Sequence, residues 1–156
     1  MLNKKGFTLI ELLTVVGLII TLSLIGLGFW SPLIRKNQGQ ALVDQIKMTV
    51  DYARQQALNR GHPVYLTPLN NTVDWSTGIQ LSELNYRTNQ LELLYQWQWD
   101  SKQWTVNWHG LNSAEKITLS NNPLTAISNG RFNLINKVTK ESISLVLNRL
   151  GRVRIG

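Results

Sequence analysis

Residues 5–30 read KGFTLIELLTVVGLIITLSLIGLGFW. From Phe7 to Trp30 the run is broken only by Thr, Ser, Gly and a single acid, Glu11. A helix needs about 20 apolar residues to cross the hydrocarbon of a bilayer, so the run predicts a membrane-anchoring helix. Lys4 and Lys5 precede it, and basic residues beside a span stay on the cytoplasmic side, so the remainder of the chain is expected outside. A secretory signal would carry a shorter apolar core followed by a small-residue cleavage site, and the run is therefore expected to persist in the mature protein. Glu11 is the anomaly. An ionised carboxylate within such a helix costs a few kcal/mol, which makes it a functional candidate unless it sits at the headgroup level.

Downstream, Pro32 is expected to break or kink the helix, with Gly26 and Gly28 loosening the turns before it. Leu42, Ile46, Val50, Ala53 and Ala57 then recur at three- and four-residue spacing, one apolar stripe on an otherwise polar helix. Asn59, Arg60, Gly61, His62 and Pro63 supply its stop. Beyond Pro63 the apolar period becomes two. Short β-branched and aromatic runs lie at residues 64–67, 78–82, 91–99, 104–108, 116–119, 131–134, 142–147 and 152–155, separated by Asn, Asp, Ser, Gly or Pro. Trp99 and Trp104 flank residues 100–103, which is expected to be a hairpin loop joining paired strands. The predicted fold class is α+β: a long N-terminal helix, membrane anchor plus spine, packed on an antiparallel β head of two sheets. The expected divisions are a leader at 1–6, the transmembrane anchor at 7–30, the second half of the helix at 31–60 and the head at 61–156.

A chain of 156 residues with 43% hydrophobic content suits one head with its own core. It contains no cysteine, which excludes disulfides and thiolate metal sites. Its formal charge of +7 favours an acidic partner, nucleic acid or anionic lipid. His62 and His109 stand alone in the sequence, and no nucleophile motif, phosphate loop or paired acids are evident. No enzymatic activity, cofactor or metal is expected. Trp97, Trp99, Trp104 and Trp108 alternate as core aromatics do, in preference to stacking platforms for bases.

Residues 5–13, KGFTLIELL, resemble the prepilin signature almost letter for letter. The resemblance implies a bacterial inner-membrane protein, N-terminus in the cytoplasm and head in the periplasm, that becomes part of a pilus after assembly. It implies that a prepilin peptidase cuts between Gly6 and Phe7 and methylates Phe7, and that Glu11 neutralises the free amine of a neighbouring pilin. A charge pair in low dielectric would reward correct axial register.

Residues 52–66 resemble the helix end and first strand of minor pilins of the FimT and GspH type, as does the later Asp74-Trp75-Ser76-Thr77-Gly78. Within that group, GspH-like proteins are pseudopilins of type II secretion, and some FimT-like proteins capture DNA in natural transformation. Gly151-Arg152-Val153-Arg154 resembles the GRxR motif of the DNA-binding branch. Two arginines at i and i+2 share one side of an extended chain, where they suit phosphates. From Gly110 to Gly156 there are seven basic residues against Glu115 and Glu141, 7 − 2 = +5. The candidate DNA-binding residues are Arg152 and Arg154 with Gly151, Arg149, Lys137 and Lys140, contacting the backbone of double-stranded DNA without sequence preference. The function expected first is DNA uptake as a minor pilin of a type IV pilus. A pseudopilin of type II secretion and a purely structural pilus component remain the alternatives.

Overall fold

The computed structural model describes the chain from Thr8 onward except residues 71, 72, 100, 101, 112 and 123, and of residues 24–36 it describes the helical backbone alone. The expected leader and the Gly6–Phe7 cleavage site lie outside the described residues.

Helix α1 spans Leu9–Arg60. Its start is encoded by Thr8 and Glu11. The Thr8 amide donates to Glu11 Oε2 at 3.5 Å, and the Glu11 amide donates back to Thr8 Oγ1 at 3.4 Å. This reciprocal capping box satisfies backbone donors that the first turn leaves unpaired. The backbone stays helical through Pro32, so the expected break is absent. A proline deletes one rung of the ladder, and a helix of this length retains the rest. At the far end the Gly61 amide closes on the Ala57 carbonyl at 3.1 Å, and Pro63 leads into the first strand.

The chain forms two compact units, residues 1–38 and 39–156. In the first, every described side chain from Thr8 to Ser23 is exposed, the apolar ones included. Among the described residues no helix is long and apolar enough to cross a membrane; the expected span at 7–30 rests in part on residues 24–30, whose side chains lie outside the description.

The second unit holds the core. Leu42, Ile46, Val50, Ala53 and Ala57 form the buried stripe of α1, as their spacing predicts, and Val43 is buried beside them. The strands among the described residues are β1 (Val64–Pro68), β2 (Gly78–Asn85), β3 (Gln90–Gln98), β4 (Trp104–Gly110), β5 (Ile117–Leu119), β6 (Gly130–Asn136), β7 (Ser142–Leu147) and β8 (Val153–Ile155). They build two four-stranded antiparallel sheets, ordered β3-β2-β1-β5 and β4-β6-β7-β8. The fold is therefore α+β, with the helix packed on two sheets. Alternation decides which side chains enter the core: Trp104, Val106 and Trp108 on β4 oppose Asn136, Leu134 and Phe132 on β6, and all six are buried.

The expected hairpin between Trp99 and Trp104 is not formed. β3 pairs with β2 in one sheet and β4 with β6 in the other, so the chain changes sheets between the two tryptophans. Both indoles are buried, and Trp99 Nε1 donates to the Trp75 carbonyl at 3.2 Å. Burying an indole removes roughly 150–250 Å² from water, about 4–6 kcal/mol each, which outweighs a local turn preference. Trp75 is itself fully buried, edge-on to Phe132 with ring centroids 5.6 Å apart. The glycine three residues later is required by the same packing: Gly78 has φ +148°, and a Cβ there would run into the Trp97 carbonyl oxygen.

Candidate functional site

The five residues joining β7 to β8 begin with Asn148. Its side-chain Oδ1 accepts from the Leu150 amide at 3.0 Å and the Arg152 amide at 2.9 Å. Its main chain closes the loop twice, donating to the Arg152 carbonyl at 3.1 Å and accepting from the Gly151 amide at 3.0 Å. Ser128 Oγ donates to the same Asn148 carbonyl at 2.9 Å. An Asn side chain that mimics a turn in this way fixes the chain that follows. The backbone of Arg152 is thus held in a braced turn that leads into Arg154 on β8.

Gly151 adopts φ +72°, the left-handed region in which L-residues lose about 1–2 kcal/mol. It is buried, and a Cβ at this position would lie 3.1 Å from Leu119 Cδ2 and 3.2 Å from Arg54 Cδ. The motif's glycine therefore faces the interior of the unit, with the stem of Arg54 from α1 against it. Arg54 is a neighbour of the C-terminal arginines that the sequence alone does not place there.

Arg152 and Arg154 are exposed, and neither guanidinium has a partner among the described residues. Arg149, at the tip of the same loop, turns back so that its Nε approaches the Ala126 carbonyl at 3.5 Å. Lys137 and Lys140 are not part of this group. They occupy the β6–β7 turn at the opposite end of the sheet, about 20 Å from the Arg131 row at about 3.3 Å per residue along β6. Glu141 shares that turn and accepts from Thr139 Oγ1 at 3.3 Å.

The register of the second sheet aligns another basic residue with the motif. Arg154 sits opposite Val146, Val146 opposite Arg131, and Arg131 opposite His109. Directly opposed residues share a face, and the inward neighbours Phe132, Leu145 and Trp108 are buried, so this row lies on the outward face.

A second polar cluster lies where α1 ends. Arg60 Nη1 meets Glu83 Oε2 at 2.7 Å, and His62 Nε2 stands 3.5 Å from the same oxygen. His62, solitary in sequence, has a carboxylate beside it because β2 returns past the helix end. These residues with Tyr86, Arg87 and Glu92 line an open cleft of about 440 Å³. Among the described residues, no three His, Asp or Glu side chains are grouped to hold a metal. Trp99, Trp104 and Trp108 belong to the core, and Trp97 packs at its edge against Tyr52 and Tyr95.

The family model described as Type II transport protein GspH matches residues 42–151. The fold is similar to that of the type IV minor pilin FimU of Pseudomonas aeruginosa strain PAO1 in two crystal forms. In one the TM-score is 0.63 at 17% identity, covering 78% of this chain and 90% of the other. In the second the TM-score is 0.59 at 17% identity, covering 75% and 91%. No curated protein matches the chain by sequence.

Proposed function

We propose, from the premise that the chain belongs to the GspH family of type II transport proteins, that it is the DNA-capturing kind of minor pilin and binds duplex phosphates through Arg152 and Arg154. The family consists of minor pilins and pseudopilins, subunits that associate with other pilins in a filament. The observation that carries the finer reading is the pair of exposed guanidiniums, without partners among the described residues, beside a turn braced by Asn148. Charge and reach are what phosphate contacts require, so binding is indifferent to base sequence.

Within this reading the chain is anchored in the bacterial inner membrane by its N-terminal helix. Prepilin peptidase removes Met1–Gly6 and methylates Phe7, and Glu11 pairs with the N-terminal amine of a neighbouring subunit. The capping box adds a second duty to Glu11, holding the first turn of α1. A pseudopilin of type II secretion is the other reading, favoured by the description of the matching family itself.

Fluorescence anisotropy of labelled duplexes with the full chain in detergent separates them. DNA capture predicts dissociation constants of roughly 10⁻⁴ to 10⁻⁶ M at physiological salt for unrelated sequences. Arg152→Gln with Arg154→Gln should weaken binding strongly and flatten the salt dependence by about one unit of log–log slope per lost contact. Absence of binding by the wild-type chain even at low salt leaves the secretion reading in place.

A further inference from the structure

We propose that the nucleic acid lies across the outward face of the second sheet, perpendicular to its strands, with Arg131 as a phosphate contact equivalent to Arg154 and with the Lys137–Lys140 turn outside the footprint. This rests on the DNA-binding reading above and extends it from a terminal motif to a surface.

Register carries the inference. Arg131 and Arg154 flank Val146 in one row, two strand spacings or about 10 Å apart. Both are exposed on regular strands, and among the described residues neither has a side-chain partner. His109 continues the row one strand beyond Arg131. Arg152 is the last residue of the loop before β8, two positions ahead of Arg154, and adds an exposed arginine beside the end of the row.

The composition of the face agrees. None of the outward positions of β4, β6, β7 and β8 is Asp or Glu; Asn107 and Asn133 stand in the row next to the arginines, where neutral donors face the same partner. A polyanion approaching these strands meets no acidic side chain at their outward positions. At the other end of the sheet, Lys137 and Lys140 share their turn with Glu141, which offsets half of their charge. Lys140 is held at φ +63° by that turn. Phosphates held at the Arg131 row lie about 20 Å from that turn, beyond the Debye length of about 8 Å at physiological salt.

The test uses the full chain in detergent, labelled duplex DNA and a salt series, with circular dichroism to verify folding. Arg131→Gln should weaken binding about tenfold, as Arg154→Gln does, and each should lower the log–log salt slope by about one. Lys137→Gln with Lys140→Gln should leave affinity and slope unchanged. Val146→Glu, which sets a carboxylate between the two arginines while keeping both, should abolish most of the binding. If the wild type binds and the Arg152/Arg154 variant loses binding, but Arg131→Gln and Val146→Glu bind as the wild type does, the cross-strand footprint is wrong while the DNA reading stands. The same holds if the lysine variant weakens binding as much as Arg131→Gln. If the wild type binds no DNA at low salt, the DNA reading itself fails.

Discussion

At Asn148, one side-chain oxygen holds two backbone amides, those of Leu150 and Arg152. Asn148→Ala deletes both contacts in a turn that must still be made, which should cost about 1–2 kcal/mol in chemical denaturation. Gly151→Ala should cost a similar amount, about 1–2 kcal/mol, because its backbone is left-handed and its space is taken by Leu119 and Arg54. A loss of DNA affinity in that variant with unchanged stability would show the glycine acting at the ligand instead. Glu11 needs a finer pair of substitutions. Glu11→Gln retains the reach of a capping side chain and removes the charge; Glu11→Val removes both. If the charge serves assembly, both variants should be depleted from sheared filaments, and normal incorporation of Glu11→Gln would assign the residue to the cap alone. As candidates for the proposed phosphate contacts, Arg152 and Arg154 were legible in sequence because their i, i+2 spacing is local. Arg131 was not, because it lies more than twenty positions away in the chain and only cross-strand register makes it a neighbour.

Periodicity is a property of single elements, and single elements were read well apart from the break expected at Pro32. The 3.6-residue stripe of α1 is the one buried, and each run of period two became a strand, with 142–147 matching residue for residue. Partner choice was misread at Trp99 and Trp104. Alternation states which side chains turn inward and is silent about which sheet receives them, so a short connection between two tryptophan-ended runs resembled a hairpin. The stripe makes its own prediction. Ile46 is fully buried and Met48, two residues on, is 70% exposed. Ile46→Ala should lower stability by about 2–5 kcal/mol, and Met48→Ala should stay within about 0.5 kcal/mol, measured by denaturant unfolding in the same detergent.

For the molecule as a whole, the prepilin reading predicts a mature chain beginning with N-methylated Phe7. Mass spectrometry of the protein from assembled filaments checks this, and retention of Met1–Gly6 there would count against it. The order of elements along the chain has a consequence for biogenesis. The apolar stripe of α1 precedes all the strands that cover it, from Val64 to Ile155. At about 5–20 residues per second, synthesis of the covering strands takes roughly 5–20 s, during which Val43, Ile46 and Val50 have no sheet to bury them. Through that interval the nascent head exposes apolar surface of the kind that aggregates. Its most vulnerable interval is set by translation speed, before the folding rate of the finished chain has any bearing.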